Sequence, residues 1–166
     1  MALLVAVPIL AGAVLLQSTI LSRITLLHGS ADLVLLVVIA WALHKRVETA
    51  WHWGILAGLM VTVVSALPFG GALIGYLMAT LVALALRQRV WQAPILAMFL
   101  ATFLGTLASH TVSMVILRAS GSLLPWWEAL NLITLPSILL NLLLAIPVFA
   151  LIHDLANGLY PEEIEV

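Results

Sequence analysis

Six apolar stretches, each almost free of charge, run between short polar junctions in this sequence. They cover residues 3–21, 31–43, 50–67, 69–86, 91–117 and 132–152. A helix needs about 20 apolar residues, within a range of about 17–25, to cross the hydrocarbon layer of a bilayer. Most of the stretches meet or approach that length; the second is short unless it begins inside the Leu26–Leu27 turn. Open strands leave edge groups unpaired in lipid, and barrel strands alternate in polarity, so unbroken runs predict helices. The expected fold is all-α: one polytopic membrane domain over 1–166, a bundle of about six transmembrane helices, with an acidic tail at 153–166.

Composition says which solvent this surface suits. Hydrophobic residues make up 64% of the chain and charged residues 8%, where soluble domains carry about a quarter charged residues. In water such a chain would expose Leu, Val and Ala over most of its surface and aggregate. The absence of cysteine excludes disulfides, thiolate metal sites and a cysteine nucleophile. The run that starts at Met1 has no basic segment before it and no clear cleavage signal, which predicts a retained helix. Ala2 in place of glycine and the lack of a CaaX box argue against lipid anchoring.

The few charges orient the chain. Lys45, Arg46, Arg87 and Arg89 fall on one side, and Arg23 and Arg118 on the other, so the positive-inside rule places the first side and both termini in the cytoplasm. Trp41, Trp51, Trp53 and Trp91 stand at segment ends beside the basic junctions, as an interfacial aromatic belt would, and Trp126 and Trp127 stand on the opposite side. Pro125 to Leu130 reads as a short amphipathic surface helix. Pro68, Gly70 and Gly71 read as a tight turn or a re-entrant dip.

Catalytic groups are scarce. The five histidines show no paired metal-ligand spacing, and no metal or cofactor is expected. Asp32 falls in the junction before the second stretch, and no Asp, Glu, Lys or Arg falls in the middle of a stretch, which argues against a proton-coupled carrier or an ion channel. Gln17, Tyr76, His110 and Asn141 are the notable embedded polar residues. His110 shares a helix face with Thr102 and Thr106, and either a ligand site or a hydrogen bond across a helix pair would account for it. Gly54 with Gly58, Gly71 with Gly75, and the stripe Ala101, Gly105, Ser109 and Ser113 are small-residue patterns that let helices approach closely, within the bundle or against a partner. Nothing reads as a phosphate loop or a nucleic-acid surface.

Gln17-Ser18-Thr19, Asp32-Leu33-Val34-Leu35-Leu36, Gly54-Ile55-Leu56-Ala57-Gly58-Leu59, Pro68-Phe69-Gly70-Gly71-Ala72-Leu73 with Gly75-Tyr76-Leu77, and Leu135-Pro136-Ser137 through Asn141 to Pro147 follow one another in order. In these segments and in its total length the chain resembles the bacterial rod shape-determining protein MreD family. It departs from that pattern at Ala31, where proline is expected, and near Thr62, where an aspartate is expected. The resemblance implies a non-enzymatic component of the bacterial inner membrane that supports cell shape and lateral peptidoglycan synthesis. It would bind the transmembrane helix of MreC directly, with MreB and the glycosyltransferase–transpeptidase pair as wider partners, and it leaves open whether the chain pairs as a homodimer. The family is also similar in architecture to the S-components of energy-coupling vitamin transporters. The alternative expectation is thus a small-molecule-binding subunit, with Trp126, Trp127, Glu128, Asn131 and His110 as candidate lining and Ala2 and Ala6 as a docking spacing.

Overall fold

A computed structural model describes residues 2–68, 70–89 and 93–160. The chain is mostly helical. α1 spans Ala2–Thr19 and is followed by a single 3-10 turn, Leu21–Arg23. A two-residue hairpin, β1 (Thr25–Leu26) and β2 (Gly29–Ser30), leads into α2 (Leu33–Leu43). Then come α3 (Ala50–Val64), α4 (Gly71–Arg89), α5 (Pro94–Ala119), α6 (Trp126–Ala129) and α7 (Leu135–Leu159).

Four helical stretches are long and apolar enough to cross a membrane: 4–23, 71–89, 94–119 and 126–159. α2 and α3 are apolar but shorter, at 11 and 15 residues. The outward faces are aliphatic: Val63, Leu143 and Leu151 are each more than two-thirds exposed. Such a surface is compatible with lipid and unfavourable in water.

The second stretch departs from expectation. Its helix starts only at Leu33, and every residue from Val34 to Leu43 is buried. At about 1.5 Å per residue, its 11 residues extend about 16 Å, roughly half of a bilayer core. α2 is a short central rod: α1, α3, α4, α5 and α7 all pack against it. Around it α3 lies on α1, α4 on α3, α5 on α4 and α7 on α5. A helix enclosed on all sides carries no polar face, which is why its sequence, LVLLVVIAWAL, is apolar throughout.

The surface helix expected at 125–130 is not separate. α6 runs through a π-turn, Leu130–Thr134, directly into α7. Pro136 explains part of this junction. It has no N–H to give to the carbonyl of Leu132, four residues back. That carbonyl accepts instead from His28 N–H at 3.0 Å, so the proline's orphan anchors the hairpin. Pro8 and Pro147 lie inside α1 and α7. The last helix also continues through Asp154 to Leu159, so the residues expected to begin an acidic tail are helical. Residues 161–166, with Glu162, Glu163 and Glu165, lie outside the described residues. The Pro68 junction is a turn, with Gly71 N–H donating to Pro68 O at 3.1 Å and Gly70 at φ 77°.

The small-residue stripes are taken up inside the bundle. A Cβ at Gly58 would lie 2.7 Å from Leu73 Cα, one at Gly54 would collide with Thr80, and one at Gly75 would lie 2.7 Å from Ser109 Oγ. One at Gly105 would lie 2.9 Å from Ile39 of α2, and one at Gly71 would lie 3.3 Å from Ile116. Ala101 and Ser109 are likewise buried. These residues join α3 to α4 and α4 to α5, and none is free to meet another chain. In lipid, close backbone approach substitutes for the hydrophobic drive that helices lack there.

Gly58→Ala is therefore expected to lower stability by about 1–3 kcal/mol, because the new methyl meets the Leu73 backbone, which cannot rotate away, as well as its Cδ1. Gly12→Ala, with nothing within 4 Å of the added carbon, is expected to be neutral or to stabilise by about 0.5–1 kcal/mol. Thermal unfolding of both variants in detergent measures the contrast, and equal midpoints would count against the packing assignment.

The basic end of the bundle is knit by hydrogen bonds. Arg87 donates to the carbonyls of His44 and Val47 at 3.2 and 2.8 Å, closing the C-terminal end of α2. His44 donates from Nε2 to Asn157 Oδ1 at 3.0 Å, while its Nδ1 is enclosed without a partner. Burial, aided by His153, Arg46 and Arg87, pushes the imidazole below its usual range against the opposing pull of Asn157. The charged form is thus disfavoured in the folded state. Stability contributed by the neutral ring is complete above the ordinary value of 6.5 and is lost as pH falls through the lower folded value. Melting curves between about pH 7.5 and pH 5 should show this loss, and His44→Gln should flatten it.

Two members of the expected aromatic belt are elsewhere. Trp41 and Trp53 are fully buried, stacked at 4.0 Å and 15°, because α2 is central and α3 turns this face toward it. Trp51, Trp126 and Trp127 are exposed, where a belt residue would be. Trp91 lies outside the described residues.

Candidate functional site

Because α2 ends halfway, the surrounding helices enclose space beyond its first turn. Asp32 caps that turn, accepting from Leu35 N–H at 2.9 Å, as an N-cap aspartate does. The same oxygen, Oδ1, accepts from the Tyr76 hydroxyl of α4 at 2.6 Å. Gln17 of α1 accepts from Val34 N–H at 3.1 Å through its amide oxygen. Asn141 of α7 accepts from Asp32 N–H at 2.7 Å and donates to Thr106 of α5 at 2.9 Å. Ser137 accepts from Ser30 N–H at 3.1 Å. Polar side chains from α1, α4, α5 and α7 thus converge on the start of one buried helix.

This convergence brings a carboxylate to a bundle in which no Asp, Glu, Lys or Arg falls in the middle of an apolar stretch. The sequence places Asp32 in a junction; its side chain is half-buried at the node, because the helix it caps begins inside the protein. A helix N-terminus favours a carboxylate through its free N–H groups and dipole, and all the donors to Asp32 described above are neutral.

Beside the node lies a cavity of about 360 Å³. Its walls come from the last turns of α1 and α3, the first turns of α4 and the second half of α5. Asp32 and Tyr76 line it, with Ser18, Ser22, Ser113 and His110. Val14, Val61, Val64 and Ala72 give it apolar walls. The volume lies at the lower end of the range for small-molecule sites, about 300–1,000 Å³, and the mix of apolar wall and few polar groups is typical of them.

Tyr76 and Asn141, expected to be embedded and polar, are buried, and both hydrogen-bond at the node. Gln17 joins them. His110 lines the cavity and reaches Thr134 of the π-turn through Nδ1 at 3.3 Å. Of the five residues proposed from sequence to line a ligand site, His110 alone belongs to this cavity. Trp126 and Trp127 border a separate depression of about 150 Å³ with Leu107, Met114 and Thr134, while Glu128 and Asn131 line neither space. Asn131 donates instead to Trp127 O at 2.9 Å. Asp32 was the residue missed, and the shortness of the second apolar run was the signal for it, since a run of about 10–14 residues reads as a buried core helix. Among the described residues, no cluster of three or more His, Cys, Asp or Glu is placed to hold a metal ion.

The fold and site together describe a helical bundle with an aliphatic exterior and a polar chamber lined by a half-buried carboxylate. No family model matches the chain, and neither a curated protein nor a solved structure matches it.

Proposed function

We propose that the chain is a non-catalytic scaffold of the bacterial inner membrane, of the MreD kind, which binds the transmembrane helix of MreC and supports the cell-elongation machinery. One observation carries the reading. The segments that bear the resemblance are scattered along the sequence, yet their polar residues meet at the first turn of α2: Gln17, Asp32, Tyr76, Ser137 and Asn141. The remaining segment supplies Gly54 and Gly58, which let α4 lie close to α3.

In this reading the chain has six membrane segments, with α2 reaching about half depth and the hairpin completing its path. The end bearing Lys45, Arg46, Arg87 and Arg89 faces the cytoplasm, as do both termini. Asp32 then lies about 16 Å from that surface, near the bilayer centre. The glycine stripes being internal, MreC docks on α1, which packs on α2 and α3 and leaves Leu4, Val7, Leu15 and Leu16 uncovered. Co-purification with tagged MreC in mild detergent tests this. Stable retention is the expected result; if the folded chain retains neither MreC nor any other membrane protein, the scaffold reading fails.

The cavity favours a second reading, a ligand-binding membrane subunit of the S-component kind. A chamber with apolar walls, hydroxyls and a half-buried carboxylate exceeds what packing alone requires. Saturable binding of a small molecule that disappears when the chamber is filled tests this reading.

A further inference from the structure

Three serines of the chamber present acceptors. Ser18, Ser22 and Ser113 each direct the hydroxyl proton to the carbonyl four residues back on their own helix: Val14, Ser18 and Ser109. Their oxygen lone pairs are therefore the groups left for a guest. A carboxylate offers about four acceptor positions. Leu35 N–H and the Tyr76 hydroxyl occupy two at Asp32, both on Oδ1, and the residue borders the cavity. No Lys or Arg lines the space among the described residues. An acceptor-rich pocket lined by a carboxylate with no cationic partner along its walls complements a guest with several N–H donors and a positive charge.

We propose that this chamber binds the primary ammonium group of a small amphiphilic amine, with the ammonium donating to Asp32 and to the serine oxygens while the apolar part lies against Val14, Val61 and Val64. The assignment rests on the ligand-binding reading of the cavity and is independent of MreC. An ammonium has three donors and no acceptor, which matches Asp32 and the three serines, and hydrogen bonds to an ionised partner are about twice as strong as neutral ones. The group has two sources, the phosphatidylethanolamine headgroup or a free alkylamine.

The test uses the full chain in phosphatidylcholine nanodiscs. Native mass spectrometry reads retention of phosphatidylethanolamine against its N-acetylated form, and thermal midpoints read butylamine against butanol. Asp32→Asn keeps an N-cap side chain and removes the charge; Ser113→Leu fills the space away from the node. Both should retain wild-type helix content. Amine binding is expected to weaken about tenfold in the first variant and to vanish in the second. Retention of the lipid with no effect of butylamine assigns the headgroup as source; the converse assigns the free amine. Equal binding of amines and their uncharged controls, lost in Ser113→Leu, overturns the ammonium assignment but leaves a ligand chamber. Amine binding that Asp32→Asn leaves undiminished also overturns it. Binding of no probe in any arm overturns both.

Discussion

Asn141→Leu is expected to destabilise the bundle by about 2–3 kcal/mol, although it replaces one buried side chain by another of similar size. The amide is fully enclosed and serves two partners at once. Its oxygen takes the Asp32 backbone N–H at 2.7 Å, and its nitrogen reaches Thr106 at 2.9 Å. Leucine removes both. A buried donor left without an acceptor costs about 1–3 kcal/mol, and an interhelical side-chain bond in a membrane protein contributes about 0.6 kcal/mol on average and up to about 1.7. Asn141→Asp keeps the acceptor, so it should retain the bond to Asp32 N–H, but it places a second carboxylate beside Asp32 and should recover stability only when protonated. Unfolding of the three proteins in detergent at two pH values measures this. An Asn141→Leu midpoint equal to wild type would mean that α7 does not depend on the node.

How much of this was legible in the sequence depends on what each residue has for neighbours. Tyr76 and Asn141 stand out as polar residues inside apolar runs, and both lie where such residues are expected, in the interior. Asp32 gives the opposite impression, because an aspartate beside a turn reads as a boundary charge. Its place at the node follows from a tertiary fact, the enclosure of α2 by its neighbours, which no local pattern expresses. Trp41 and Trp53 illustrate the same limit. Their position beside basic junctions is that of an interfacial belt, yet their rings stack on each other inside the protein. Gly54, Gly58, Gly75 and Gly105 were recognisable as close-packing positions, but periodicity alone does not say which helix they meet. Helix ends were readable to within a few residues except at α6, where a π-turn carries the chain on into α7 in place of a loop, and at the end of α7, which runs on to Leu159.

Gly29→Ala is expected to have an effect of about 3 kcal/mol, and the reason lies in how the hairpin fills the space beyond α2. A Cβ at Gly29 would lie 2.6 Å from Ser137 N, 2.7 Å from Ile133 O and 2.8 Å from Pro136 Cβ. Two of these atoms are backbone, at the join of the π-turn and α7, and cannot rotate away. The hairpin must then lift from α7. Lifting stretches the His28 N–H bond to Leu132 O, now 3.0 Å, and the Ser30 N–H bond to Ser137 Oγ, now 3.1 Å. Overpacking alone costs about 1–3 kcal/mol, and each weakened hydrogen bond adds about 1 kcal/mol. The Leu132 carbonyl has no replacement donor within its own helix, because Pro136 occupies that position. Amide exchange should therefore accelerate at His28 and Ser30 in Gly29→Ala while remaining slow in the middle of α2, whose bonds do not pass through the hairpin. Unchanged exchange at both positions, together with an unchanged melting midpoint, would show that the hairpin is not clamped to α7 as described. Fast exchange throughout α2 would show instead that the hairpin holds the central rod in place.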